Sequence, residues 1–400
     1  MKRSDIVGMM RYSMAIIVRP EKMNETSKKK PRNKSLKPIP SEAFTNRQIG
    51  FFQGFLVNTS AEGDALSNAI DMWDSVPRYS IHRKKQEKIR LPGGFLPIHK
   101  VDFYYRGKTY TAVIRPARIE LRDKQGQLTG ETIEYYPSTR EELIEHALRK
   151  LAAEQYAGFF DKHDFRSGVA FTLYRLRQEL AEQGHSMTYD GLAEGLEVLH
   201  YSQITIIDPQ SDTSDPSLIS QSYLPALAKV NKNGRAADPD AKWFVQFHGL
   251  VTNSINQINY RQFNYRRLMQ CSSQLARWLI SQLVLKYTQA SIMNSFEMHF
   301  STIRRDSGLL DGYSRGRDAF AAVDEAWEDL KNLGAIGTVA KIEERVGRGQ
   351  LKDAIYTIYT SPQFMKEQKA ANRRQSDAKI ASVHQPNELA GPGDKTNKQR

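Results

Sequence analysis

The stretch from Phe263 to Tyr359 constrains this chain most. Leu268, Ser272, Leu275, Leu279 and Leu283 recur at helical spacing and predict one long amphipathic helix. Phe296, Met298 and Phe300 alternate as on a strand. A short helix is expected after Ser301, ended by a turn at Ser307-Gly308. The next helix is expected after Ser314, which can cap it, with Phe320, Val323, Trp327 and Leu330 as its buried stripe and Gly334 as its stop. Ala335–Val339 and Asp353–Tyr359 then read as the arms of a hairpin with a long basic loop.

Arginines bracket the turn in this stretch. Arg304 and Arg305 lie before it, and Arg315 and Arg317 open the following helix. In a helix–turn–helix, the first residues of the second helix reach base edges in the major groove. Arginine suits that place because its planar fork can bond guanine O6 and N7 together. On a helical wheel Arg315 points away from the Phe320/Trp327 face, and Arg317 sits at its flank. The far half of the same helix is acidic, with Asp324, Glu325, Glu328 and Asp329, so an end-on approach to DNA is expected. Lys341, Arg345, Arg348 and Lys352 in the hairpin loop, and Arg266 and Arg267 at the start of the long helix, are the candidate phosphate contacts. The bland alternative is that these cations are solvated or paired locally.

An earlier stretch has a similar layout. Ser138-Thr139-Arg140-Glu141-Glu142 offers a capping box to a helix whose apolar face is Ile144, Ala147, Leu148, Leu151 and Ala152. A second helix is expected near Gly168–Gln183, from the spacing of Val169, Leu173, Leu176 and Leu180. A third begins after Thr188 and flows into a strand at Gln203–Ile207, with further strand-like runs at Leu218–Leu224 and Trp243–Val251. Before both, residues 95–136 are rich in β-branched and aromatic residues and predict a small antiparallel region with a hairpin at Gly107.

The 400 residues carry a net charge of +13, but its distribution matters more. Residues 1–50 hold 12 Lys/Arg against 4 acids, and 366–400 hold 8 against 4, leaving the remainder near +1. Residues 251–320 carry 9 basic against 4 acidic residues, whereas 137–210 carry 7 against 12. The second helical stretch is therefore the expected DNA binder. The acidic first one is as well suited to protein contact, such as dimerisation, although Arg175, Arg177, His200 and Tyr201 offer a local surface.

Catalysis finds little support. There is no Gly-x4-Gly-Lys-Ser/Thr loop and no His-x-His or His-Glu-x2-His cluster, so no nucleotide cofactor, no metal and no catalytic residue is expected. His248 and His299 read as structural or surface residues, and Tyr135-Tyr136 as strand packing rather than nicking tyrosines. Cys271 is the single cysteine and reads as a small packing residue in a reducing compartment. Met1–Pro20 has too short an apolar run and no small-residue cleavage site for a signal peptide, and no run is long enough to span a membrane. A cytoplasmic protein is expected.

The chain resembles the plasmid replication initiator (Rep) proteins of the iteron-binding type, which have tandem winged-helix domains. In the first half the resemblance rests on Met187-Thr-Tyr-Asp-Gly-Leu-Ala-Glu-Gly-Leu-Glu-Val-Leu-His-Tyr-Ser-Gln-Ile-Thr-Ile206. In the second it rests on Leu275-Ala-Arg-Trp-Leu279, Ile303-Arg-Arg-Asp-Ser-Gly308, Tyr313-Ser-Arg-Gly-Arg317 and Asp353-Ala-Ile-Tyr-Thr-Ile358. It covers about 135–370. The expected fold is α+β, with two winged-helix domains in tandem preceded by a small antiparallel β region and flanked by disordered basic tails. Its parts are a basic arm (1–45), a lead-in (46–136), a first winged helix (137–250), a second (251–370) and a tail (371–400). The resemblance implies binding to double-stranded origin repeats, origin melting with host DnaA, recruitment of the replicative helicase, and a monomer–dimer equilibrium linked to autoregulation and plasmid copy control. The alternatives are a winged-helix transcriptional regulator or partition protein without initiator activity, a nicking replication protein or primase, and an RNA-binding protein. Neither the basic arm nor the lead-in is explained by the resemblance.

Overall fold

The computed structural model describes residues 66–123, 127–153, 158–161, 164–208, 218–230, 238–347 and 350–383, all within one unit, 39–400. The expected arm (1–45), the start of the lead-in and residues 384–400 lie outside the described residues.

The described part of the lead-in starts with strand β1 (Leu66–Ile70), helix α1 (Asp71–Ser75) and helix α2 (Arg83–Ile89). Strands β2 (His99–Tyr105) and β3 (Lys108–Arg115) form the expected hairpin. Its turn puts both Arg106 and Gly107 at positive φ, 46° and 87°, the combination that matches strand twist in a two-residue hairpin. A second hairpin pairs β4 (Ala117–Arg122) with β5 (Leu128–Tyr135).

Helix α3 (Thr139–Ala153) starts on the capping box anticipated from the sequence, with both the N–H and the hydroxyl of Ser138 donating to Glu141 Oε2 at 2.9 Å. The expected apolar face is buried, and so is the other side of the helix. Glu142, Glu145, His146, Arg149 and Lys150 are all sequestered, which makes α3 the central helix of the chain.

Strands β6 (Gly158–Asp161) and β7 (Arg166–Thr172) follow. The helix expected near Gly168–Gln183 is therefore shorter. Helix α4 covers Leu173–Glu182 and is capped by Thr172, whose hydroxyl accepts from Arg175 N at 3.1 Å. Val169 and Phe171 alternate on a strand instead. Gly168 explains why: an added Cβ would lie 2.0 Å from the Val245 carbonyl oxygen, so glycine lets the neighbouring strand approach. Helix α5 (Tyr189–Tyr201) starts after Thr188 as expected, is capped by its hydroxyl, and runs into β8 (Gln203–Ile207). Strands β9 (Leu218–Ser222), β10 (Ala226–Val230) and β11 (Lys242–Gln246) and helix α6 (Gly249–Asn256) complete this half.

The second half begins with β12 (Tyr260–Asn264), antiparallel to β1. The single long helix expected after Phe263 is two helices, α7 (Tyr265–Gln270) and α8 (Gln274–Lys286). The break is fixed by hydrogen bonds. Ser272 donates through its N–H and hydroxyl to Asp329 at 2.8 and 2.9 Å, and Ser273 caps α8 by accepting from Ala276 N. Strand β13 (Phe296–His299), helix α9 (Phe300–Ser307) and helix α10 (Gly316–Asn332) follow. A hairpin of β14 (Ile336–Val346) and β15 (Gln350–Thr360) leads to α11 (Pro362–Val383). That last helix corrects the expected tail boundary: Gln368 and Ala371 are buried in it, and it continues to Val383.

Sheet order separates the two halves, which the sequence suggests are copies of one architecture. In the second, β13 pairs with β15 and β15 with β14. In the first, β7 pairs with β11, while β8, the strand after α5, pairs with β3 and β9. The lead-in is thus no freestanding β region. Its hairpin forms half of the sheet β2–β3–β8–β9, its first strand pairs with β12, and one buried core runs from Ala69 to Phe364.

Candidate nucleic-acid interface

Helices α9 and α10 meet through a turn that begins at Gly308, left-handed at φ 62°. An added Cβ there would approach Ser80 Cβ to 2.9 Å, so the tight turn sits directly against the lead-in. Arg315 is the N-cap residue of α10 in extended backbone, and no side chain caps this end. Ser314, expected as the cap, is exposed one residue earlier and makes no such bond. The first turn therefore carries two exposed guanidiniums, Arg315 and Arg317, the latter 75% exposed and 3.4 Å from Asp318.

Arg304 and Arg305 differ. Arg304 is exposed and reaches Asp311 across the turn at 3.5 Å. Arg305 donates to its neighbour Asp306 at 2.6 and 3.0 Å and lies over the Tyr104 ring. Buried Asp306 also accepts from Tyr104 N at 3.1 Å. Arg305 therefore braces α9 against β2, while its side chain stays 46% exposed.

Two of the four acids on the far half of α10, Asp324 and Asp329, bond to other elements, while Glu325 and Glu328 are exposed. Asp324 accepts from Tyr356 Oη at 2.9 Å and from Lys341 at 2.8 Å, and Asp329 holds the α7–α8 corner. They tie the far end of the helix to its own sheet and to the preceding helices, leaving the N-terminal turn as its cationic end.

The hairpin departs from expectation in two ways. Its arms extend to Val346 and from Gln350, so Lys341, Arg345 and Lys352 stand on strands rather than in a long loop. Each also faces a carboxylate. Lys341 meets Asp324 and Glu343, Arg345 bonds Glu343, and Lys352 lies 3.5 Å from Glu344. Ion pairs this exposed are weak, so they reduce rather than abolish a phosphate contact. Arg348 lies outside the described residues.

Arg266 and Arg267 are split by burial. Arg266 is exposed on α7. Arg267 is buried and donates both terminal nitrogens to Glu367 of α11, at 2.6 and 3.0 Å, so it is removed from the set of phosphate contacts. In the first half, Arg177 covers the Tyr189 ring and His200 Nδ1 lies 2.7 Å from the Leu224 carbonyl oxygen, while Tyr201 is exposed. Sequence reasoning passes over one further cationic element, the run Arg83-Lys84-Lys85-Gln86-Glu87-Lys88 on α2. Its density of lysine is a signal present in the sequence.

Behind this surface lies a buried cluster of charge. Arg78 donates to Asp74 at 2.8 Å and to Glu145 at 3.0 and 3.2 Å, and Arg149 donates to Asp74 at 2.7 and 3.0 Å. Tyr79 Oη and the Trp73 indole also donate to Glu145. Burial alone would raise both carboxyls. The two guanidiniums outweigh it, holding Asp74 far below the ordinary range and Glu145 at about 2. Burial, helped by Arg149, lowers His146 to about 3, and burial with Arg78 lowers His248, stacked on Trp73, to about 4.

Acid should therefore unfold the chain early. A histidine whose folded pKa lies below its unfolded value stabilises fully above about pH 6.5, and that contribution falls as pH drops toward the folded value. At pH 5 each of His146 and His248 should have lost about 2 kcal/mol, with Glu145 adding its own loss between about 4.5 and 2. Calorimetry at constant salt should show a falling Tm from pH 7 to pH 5, with a shallower fall in His146→Gln. A flat Tm over that range would contradict the buried neutral histidines.

Among the described residues, no three His, Cys, Asp or Glu side chains are grouped to hold a metal ion. No described helix is long and apolar enough to cross a membrane. Cys271 is buried, and its thiol is pushed up to about 12 by burial and by Asp329.

No protein-family model matches the chain, and no curated protein matches it. Among solved structures it is similar to domains 2 and 3 of RctB, at 11% identity and TM-score 0.42, over 69% of this chain and 95% of that one. A second structure of RctB domains 2–3 gives 11% identity and TM-score 0.39, over 71% and 97%. The Pi initiator protein in complex with iteron DNA gives 11% and 0.36, over 56% and 91%. At such identities and scores a likeness does not assign a function.

Proposed function

We propose that this chain is a non-enzymatic, sequence-specific DNA-binding initiator of plasmid replication, with two winged-helix domains in tandem over 137–250 and 251–370. One observation carries the reading. The first turn of α10 holds Arg315 and Arg317 in solvent, while Asp324 and Asp329, further along the helix, bond to other elements of the protein. A helix cationic at one end suits end-on entry into a major groove. The order α8, β13, α9, α10 and the β14–β15 hairpin supports the winged-helix reading of the second half. Repeated origin sites, melting with host DnaA, helicase recruitment, autoregulation and dimerisation through the acidic first half follow from the resemblance to Rep proteins. So does a place in the bacterial cytoplasm with plasmid DNA.

Footprinting of the purified protein on DNA surrounding its own gene, at near-physiological salt, tests the reading. Regularly spaced, protected direct repeats are expected. A single protected inverted repeat would instead indicate a transcriptional regulator. Coverage without sequence selection, weakening steeply as salt rises, would overturn sequence-specific binding.

A further inference from the structure

We propose that the lysine face of α2 is a second duplex-phosphate contact, placed beside the α9–α10 turn, which lengthens the DNA site beyond the bases that α10 reads. The proposal rests on the chain being a duplex-DNA binder. It concerns the lead-in, a segment outside the helix–turn–helix.

The rotation of α2 is fixed from beneath. Buried Gln86 donates to the carbonyl oxygens of Ile81 and Tyr136, at 2.9 and 3.0 Å, and accepts from Tyr136 N at 3.1 Å. At about 100° per residue, Lys84 and Lys88 then lie nearly opposite Gln86, and Lys85 stands on the flank of the same face. The neighbouring arginines are committed inward. Arg83 pairs with Glu141 at 3.0 Å over the Tyr135 ring, and Arg90 donates to the carbonyl oxygens of Glu134 and Gly94. Lys84 and Lys88 are exposed and Lys85 is half-buried, and none of the three forms an ion pair with a described residue. Glu87 is the single acid on the helix.

Several contacts place this face beside the turn. His82, just before α2, lies 3.7 Å from where a Cβ on Gly312 would stand. Ser80 packs on Gly308, and Ser80 and His82 line one groove with Leu309, Leu310, Gly312 and Tyr313. Burial lowers the proton affinity of His82, and Lys85, Lys84 and Lys88 lower it further, so the lysines act on the side chain that packs against the turn at Gly312. His99 is held to about 4 by burial and Lys85, against an opposing effect of Asp311 in the same turn. The turn's own charges partly cancel, because Arg304 faces Asp311. Lysines with no ion-pair partner among the described residues are what a phosphate backbone passing α10 would meet. Lysine, a hydrated point charge on a flexible stem, suits such a contact better than base reading.

The test uses the full chain carrying Lys84→Gln, Lys85→Gln and Lys88→Gln together, with the corresponding triple arginine variant as control. Binding to the footprinted duplex and to a scrambled duplex is measured across a salt series. Each phosphate contact contributes roughly 0.9 to the slope of log affinity against log salt, so the slope of the glutamine variant should fall by about 2–3 units. It should weaken both duplexes by a similar factor, keep their ratio, and shorten the footprint at one edge. The arginine variant should restore all of these. An unchanged slope and footprint in a folded glutamine variant, with selective binding by the wild type, would overturn this proposal alone. Absence of duplex binding by the wild type would overturn both the proposal and the reading beneath it.

Discussion

Arg78→Met is expected to destabilise the fold by about 3–5 kcal/mol at neutral pH, measurable by urea unfolding. Arg78 lies between the rings of Trp73 and Tyr79, 4.5 and 5.0 Å from their centroids, and bonds two carboxylates as sequestered as itself. Methionine conserves much of the volume, so the destabilisation comes from uncompensated charge rather than a cavity. Arg149 remains, but it already donates both terminal nitrogens to Asp74 and lies 3.6 Å from Glu145. Without Arg78, the pKa of Glu145 must rise from about 2, because burial is the opposing effect that the guanidinium now outweighs. The deficit should therefore shrink as pH falls, since a protonated carboxyl needs no partner. A deficit below about 1 kcal/mol at pH 7, or one that grows with acid, would show that the cluster is not the electrostatic unit its geometry describes.

The cluster has consequences for binding because of what it joins. Asp74 and Arg78 belong to the lead-in and Glu145 and Arg149 to α3, while the Arg277–Glu142 pair, at 3.0 and 3.2 Å, joins α3 to α8. Helix α3 is therefore clamped on one side to the segment that leads into α2 and on the other to the half that carries α10. A fixed angle between α2 and α10 is what a rigid two-point DNA surface requires, since in a flexible arrangement ordering entropy would offset much of what the second point contributes.

Local chemistry is legible in the sequence. The Ser138 capping box, the helix start after Thr188, the stops at Gly308 and Gly334 and the Phe320–Leu330 stripe each depend on residues within a few positions of one another. What cannot be read there depends on distant partners. Arg266 and Arg267 are adjacent and chemically identical, and Glu367, a hundred residues later, decides that one is buried and the other exposed. Strand β8 is legible, but its pairing with β3 across some ninety residues is not. Val169, Leu173, Leu176 and Leu180 fit a helix until Gly168 and its close approach to Val245 are considered. Glu145 and Arg149, four apart on α3, look like a solvated face because nothing local announces that α1 covers it.

Arg315→Ala combined with Arg317→Ala is expected to weaken binding to the specific duplex by about 2–4 kcal/mol, a drop of roughly 30- to 1000-fold, while binding to a scrambled duplex falls far less. Among the described residues, Arg315 makes no capping hydrogen bond and Arg317 pairs only with exposed Asp318, so alanine at either place removes no internal support of consequence there. The stability of the double variant should therefore match that of the wild type, which separates this test from one on Arg267 or Arg305, where folding and binding would change together. The discriminating quantity is the ratio of specific to scrambled affinity at one salt concentration. If the arginines bond base edges in the groove, removing them collapses that ratio. If they bond only phosphates, removing them leaves the ratio intact and lowers the salt slope by about one unit per arginine. A ratio that survives would mean that the first turn of α10 positions rather than reads, and that recognition comes from a surface other than this helix end.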